Sequence, residues 1–197
     1  MIPRLELRGL RSALAGPFDM ALAAGEALAV TGPSGAGKSV FLRMVADLDP
    51  NDGEALLDGV SRCSMSGPIW RARVVYAAAE PGWWHERVGT HFAEPPRQEA
   101  ARLLLRPDIF DGPVRLCSTG ERQRLALLRA LAVGPTVLLL DEPTAALDPA
   151  STAAVEDLLR ERQGDGMALL LVTHDAAQAD RLGNRIMRLR EGRLHDT

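Results

Sequence analysis

The stretch Gly32–Ser39, reading GPSGAGKS, constrains the fold of this chain more than any other. It matches G-x-x-x-x-G-K-[ST] in full, follows the apolar run ALAVTG (27–32), and opens a helical pattern at Lys38. A strand that turns through glycines into a helix aims successive backbone N–H groups at one point. The helix N-terminus adds partial positive charge there, so the turn is built to hold phosphate. In this reading Gly32, Pro33, Ser34, Gly35, Ala36 and Gly37 form the cradle, Lys38 reaches the β- and γ-phosphates, and Ser39 offers its hydroxyl to Mg2+. The competing reading, a glycine-rich turn beside a surface lysine, needs strand, loop and helix to coincide by accident.

A second segment completes the chemistry. TVLLLDEP (136–143) is an apolar strand pattern with two acids at its C-terminal tip. In a parallel sheet that tip lies beside the phosphate loop, where ligands gather. Asp141 is expected to hold Mg2+ through water, and Glu142 to polarise the attacking water as a general base.

The rest of the chain supports an α/β domain. Short apolar runs at 4–8, 27–32, 55–58, 73–77, 136–141, 168–173 and 185–190 alternate with helical patterns. Those helices start at Lys38, near Thr119, after Pro149 and after His174, which predicts a largely parallel core sheet. Prolines at 95, 96, 107 and 113 break the rhythm around the amphipathic run RQEAARLLLR (97–106). The expectation is one domain over 1–197: a core of 1–81 and 117–197, with a short, mostly helical lobe inserted at about 82–116. A net charge of −3 gives no reason to expect nucleic acid, and Cys63 and Cys117 form neither a metal-ligand spacing nor a disulfide framework. The longest strongly apolar runs are far too short to cross a membrane. A cytoplasmic location follows as the expectation, with membrane business done through a partner.

Three further segments narrow the class. CSTGERQRLALLRAL (117–131) precedes the acidic strand, AALD (145–148) follows it, and VTHD (172–175) ends another apolar strand. With the cradle, this order resembles the nucleotide-binding subunits of the ATP-binding cassette (ABC) family, over nearly the whole chain from LELRGL (5–10) onward. The resemblance implies a phosphate-loop NTPase fold with an N-terminal antiparallel β subdomain, ATP and Mg2+ as ligands, and ATP hydrolysis. It implies a head-to-tail dimer with a second copy or a related cassette, in which Ser118, Thr119, Gly120 and Glu121 act in trans on ATP held by the opposite subunit. Asp148 would cross that dimer interface, and His174 would contact the γ-phosphate and help hold the attacking water. It also implies a separate integral membrane permease, on which the chain would sit at the inner face of the membrane. An ABC-type ATPase of DNA repair or translation is the alternative, but tandem cassettes, a long coiled coil and zinc-binding cysteines do not occur in this sequence. A nucleotide kinase or GTPase would lack STGERQR and VTHD. The transported substrate is not legible.

Four positions depart from the family pattern. Cys117 and Thr119 replace the usual leucine and glycine of the signature segment. Val40 replaces a threonine and leaves only its backbone N–H for the α-phosphate. An aromatic that stacks on adenine would fall near Leu14, or be supplied by Phe18. Finally, VVYAAAEP (74–81) places Ala79 where the family carries a glutamine that touches Mg2+ and links the site to the lobe. Either water and the remaining ligands suffice, or Glu80 takes its place. Trp83 and Trp84 then open the lobe, one expected in its core and the other exposed toward a short helix of the permease.

Overall fold

The computed structural model describes residues 2–197; Met1, inside the expected domain, lies outside the described residues. The chain begins with strands β1 (Leu5–Arg11), β2 (Phe18–Leu22) and β3 (Ala27–Thr31), then helix α1 (Lys38–Val45), strands β4 (Asp52–Leu57) and β5 (Val60–Ser61), helix α2 (Gly67–Arg73) and strand β6 (Val74–Ala77). After the lobe helix α3 (Arg97–Arg102) come α4 (Thr119–Ala132), β7 (Val137–Asp141), α5 (Pro149–Gly164), β8 (Ala168–Val172), α6 (Ala176–Leu182), β9 (Arg185–Arg190) and β10 (Arg193–Asp196).

Two sheets result. One is antiparallel, in the order β2-β1-β4-β5; the other has six strands in the order β10-β9-β3-β8-β7-β6, parallel except for β10 on its edge. The central strands β3, β7 and β8 are apolar at successive positions because both faces of the parallel sheet are covered. Their alternation divides two cores. Leu28, Val30, Val137, Leu139, Leu170 and Val172 face α1 and the antiparallel sheet, whereas Ala27, Ala29, Leu138, Leu140, Leu169 and Leu171 face α4, α5, α6 and the lobe. The phosphate loop leaves β3 between its neighbours β8 and β9, with the acidic tip of β7 one strand further on.

Several elements differ from the sequence expectation. β2, β5, β10 and α2 are additional. Helix α2 starts Gly-Pro, is seven residues long and buries only Trp70, so it carries almost no periodic signal. The run 97–106 is helical only to Arg102. Leu104 takes the left-handed conformation at φ 56, while its N–H bonds Ala101 O and the Leu105 N–H bonds Ala100 O. This is a Schellman ending made without glycine. It sends Leu103 and Leu105 into the core and leaves Leu104 exposed. The lobe is accordingly less regular than expected, with α3 flanked by short 3-10 turns at 89–91, 109–111 and 114–116.

Candidate nucleotide-binding and catalytic site

The cradle is fixed by backbone geometry that only glycine tolerates. Gly32 has φ 152, and a Cβ there would fall 2.4 Å from the Leu189 carbonyl oxygen. Gly37 caps α1 in the left-handed region at φ 92. Lys38 is the first residue of α1, and its Nζ donates to the carbonyls of Gly32 and Pro33, both at 2.9 Å. The ammonium is thereby laid across the loop mouth. Ser39 is exposed on the next position, and Val40 and Ala36 lean on the core beneath. The first-turn N–H groups of α1 have no partner four residues back and remain available to an anion.

Asp141 closes β7 and is only 4 % exposed. It lies on the same face as Val137 and Leu139, toward α1, and α1 packs against β7. Tyr76, on the adjacent strand β6, donates its hydroxyl to Asp141 Oδ2 at 2.8 Å. Burial first, and then the Asp141 carboxylate, push the phenol well above its usual pKa, so it remains a donor. A hydroxyl from Ser39 and a carboxylate from Asp141 are hard oxygen donors. The described residues contain no group of three or more His, Cys, Asp and Glu able to hold a metal. That donor set fits Mg2+, which keeps several waters and binds through few protein ligands together with phosphate.

The next residue turns the chain sharply. Glu142 has φ 51, a left-handed conformation rare outside glycine, and its N–H bonds Val172 O at 2.9 Å. Its side chain meets His174 just beyond β8, with Glu142 Oε2 and His174 Nδ1 2.5 Å apart. A carboxylate only accepts, so Nδ1 is the donor in this contact. Glu142 and His174 line a cavity of about 630 Å³ that Ala79, Glu80, Thr119 and Gln123 also border. The structure therefore brings the two expected catalytic residues together and places Glu80 at the same opening.

The signature segment caps α4. The Ser118 hydroxyl accepts from the Glu121 N–H at 3.1 Å, and Glu121 Oε2 accepts from the Ser118 N–H at 2.8 Å. This capping box rigidifies the helix end and leaves the Ser118 hydroxyl hydrogen free to donate to an anion. Thr119 turns its side chain to Arg122 Nη2 at 3.3 Å. Gly120 has a packing role the sequence did not suggest: a Cβ there would lie 3.0 Å from Ala146 O and 3.2 Å from Leu147. Asp148 caps α5, accepting from the Ser151 N–H at 2.9 Å and Ser151 Oγ at 2.8 Å, and those bonds hold its carboxyl below the usual range.

At the other end of the site, Ala79 and Glu80 are exposed beyond β6. Trp83 is half-buried against the core that the lobe shares with α4, α5, α6 and the parallel sheet, whereas Trp84 is 65 % exposed. Arg129 of α4 sits between them, its guanidinium 4.7 Å from the Trp83 ring centre and 4.6 Å from that of Trp84. Burial holds this guanidinium below its usual pKa. Trp84, His91, Phe92, Ala126, Arg129 and Val133 line a groove of about 720 Å³. Phe18 does not take the role of an adenine platform. It is fully buried, 4.6 Å from the Phe41 ring, because it faces inward from β2; Leu14 is 80 % exposed. Tyr76, Gln123 and Arg129 were missed in the sequence. Tyr76 could have been found by pairing β6 with β7 in parallel and following their alternation to Asp141.

A strand–glycine loop–helix cradle beside a buried aspartate, with a glutamate and a histidine on the neighbouring strand ends, defines a phosphate-loop nucleotide-binding domain. A family model described as ABC transporter matches residues 16–145, and the chain belongs to that family. Among curated proteins, the chain is 38% identical over 89% of its length to the aliphatic sulfonates import ATP-binding protein SsuB 2 of Paracoccus denitrificans, covering 71% of it. It is 35% identical over 90% of its length to the cobalt import ATP-binding protein CbiO of Rhodobacter capsulatus, covering 70% of it. It is 33% identical over 98% of its length to the protein STAR1 of Oryza sativa subsp. japonica, of which it spans 62%. Among solved structures, the ATP-binding cassette MJ0796, a dimer in a post-hydrolysis state with ADP and Pi, superposes with a TM-score of 0.82 at 22% identity, covering 97% of this chain and 96% of that one. A bacterial Atm1-family ABC exporter with ATP bound gives 0.86 at 22% identity over 98% of this chain and 38% of its own. These two likenesses extend the agreement in fold over almost the whole chain.

Proposed function

We propose that the chain is the ATP-binding and ATP-hydrolysing subunit of an ABC transporter, driving a separate membrane permease through ATP-dependent closure of a cassette dimer. The observation that carries the reading is the Glu142–His174 pair beside the Gly32–Ser39 cradle. The cradle's N–H groups and Lys38 hold the phosphates, and Ser39 and Asp141 would hold Mg2+, which would neutralise charge on the phosphate oxygens. Glu142 accepts the proton of the attacking water, while His174, hydrogen-bonded through Nδ1, keeps that carboxylate in place. Ser118 and the N-terminal N–H groups of α4 present an anion site to the ATP of a facing subunit, and Asp148 lies at that interface.

No helix among the described residues is long and apolar enough to cross a membrane. We place the permease contact at the groove beside Trp84 and Arg129, and the chain at the inner face of the membrane. The relatives are named for sulfonate and cobalt import, a spread that fits cargo being chosen outside this chain. Removing the base tests the reading. Phosphate release from Mg-ATP is expected to fall by about a hundredfold or more for Glu142→Gln, with ATP binding kept, and binding itself to be lost in Lys38→Ala. Undiminished hydrolysis by Glu142→Gln would overturn it.

A further inference from the structure

The loop that carries the catalytic carboxylate, 142–146, is gripped from two sides by buried glutamines. Gln123, in the second turn of α4 and 7 % exposed, donates from Nε2 to the Glu142 carbonyl at 2.7 Å and accepts at Oε1 from the Ala146 N–H at 3.2 Å. Gln178 of α6, 1 % exposed, donates to Thr144 Oγ1 at 2.6 Å. The partners fix the orientation of the Gln123 amide, since a carbonyl needs a donor and an N–H needs an acceptor.

We propose that Gln123 is a positioning residue that locks the left-handed turn at Glu142 to the helix whose tip is the signature segment. The inference rests on the functional reading above. Glu142 at φ 51 stays in a sparsely populated region only while its surroundings hold it there. The Gln123 bond closes on the carbonyl of that same residue, and so sets where its carboxylate meets His174. One turn earlier on α4, Gly120 lies against the Ala146 carbonyl. One residue later, Arg124 Nη1 donates to Ser151 Oγ at 2.8 Å, and Ser151 Oγ donates to Asp148 Oδ2 at 2.8 Å. Ser118, Gly120, Gln123, Glu142, Ala146 and Asp148 therefore form one connected body. An ATP held by the facing subunit would press on Ser118, and the same body holds the base for this chain's own ATP. The tie makes hydrolysis in one site sensitive to occupancy of the other.

Gln123→Met, similar in length but without the amide, is expected to lower kcat by about tenfold or more, while KM for ATP and binding of a fluorescent ATP analogue stay within about twofold. Gln123→Glu keeps the acceptor for Ala146 and loses the donor to Glu142. It is expected to be as slow as the Met variant, and recovery of kcat in this variant would overturn the proposal. Hydrogen–deuterium exchange without nucleotide supplies a readout independent of turnover. Peptides covering 142–148 are expected to exchange about tenfold faster in Gln123→Met, with those of β7 and the C-terminal half of α5 unchanged. Unchanged exchange in 142–148 would also overturn the proposal. A wild-type chain that fails to hydrolyse ATP while showing the exchange difference would instead count against the functional reading.

Discussion

Tyr76 donates to one oxygen of Asp141 and leaves the other free, which restricts how the carboxylate can present itself to a cation. Groups that hydrogen-bond to a ligating carboxylate orient it, and removing one costs about 10–100-fold in metal affinity or activity. Tyr76→Phe keeps the ring in β6 and deletes only the donor. The Mg2+ concentration that half-saturates ATP turnover is expected to rise by about tenfold, and Mn2+ bound with a non-hydrolysable ATP analogue to weaken in parallel by magnetic resonance. Binding of the nucleotide without metal should not change. Equal metal requirements for the two proteins would show that the bond is incidental to the site. Residue-scale chemistry of this kind was half legible. Lys38, Ser39, Asp141 and Glu142 stand out as candidates because their spacing is tied to strand and helix ends, and His174 does so only through the family resemblance. Tyr76 and Gln123 do not, because each meets its partner only when two distant segments are packed side by side.

Among the elements, α2 shows what the sequence hides. Its single anchor is Trp70, fully buried, whose Nε1 donates to Val45 O at 2.9 Å at the C-terminal end of α1. That bond satisfies a carbonyl left over by the helix end. It also ties α2 to the helix that begins in the phosphate cradle. Trp70→Ala is expected to destabilise the chain by about 3–5 kcal/mol in urea unfolding, through the cavity and the lost bond together. A change below about 1 kcal/mol would mean the site collapses around the deletion and α2 is not a structural strut. The helix was invisible to pattern reading since one buried residue in seven makes no stripe. The end of α3 was misjudged for a related reason: the apolar run 103–105 looks like more helix, but Leu104 turns left-handed so that both its neighbours can reach the core.

At the scale of the molecule, the proposed dimer would bring the cradle of one subunit against the signature segment of the other. Light scattering on Glu142→Gln is expected to show a monomer without nucleotide and a dimer with ATP, and adding Ser118→Arg is expected to keep the protein monomeric with ATP bound to the cradle. An ATP-independent mass in both proteins would remove the dimer from the mechanism. Trp84 is exposed on the lobe, and the adjoining groove is lined from the lobe, β6 and α4, so the helix whose tip would meet the second cassette also borders the surface proposed for the permease.

By itself the sequence determined the fold class and the identity of the phosphate chemistry. Both follow from local rules: glycines where the backbone must turn left-handed or pass close to another carbonyl, apolar runs that become buried parallel strands, and acids at strand tips. Tertiary structure alone decided which side chains support those groups. The interior position of Phe18 depends on how β2 pairs with β1, the Tyr76–Asp141 bond on the parallel register of β6 and β7, and the Gln123 grip on how α4 lies across the end of β7. Packing chooses such contacts among segments far apart in the chain. A linear pattern records the spacing within each segment, and the distance between two segments is set only when the core closes.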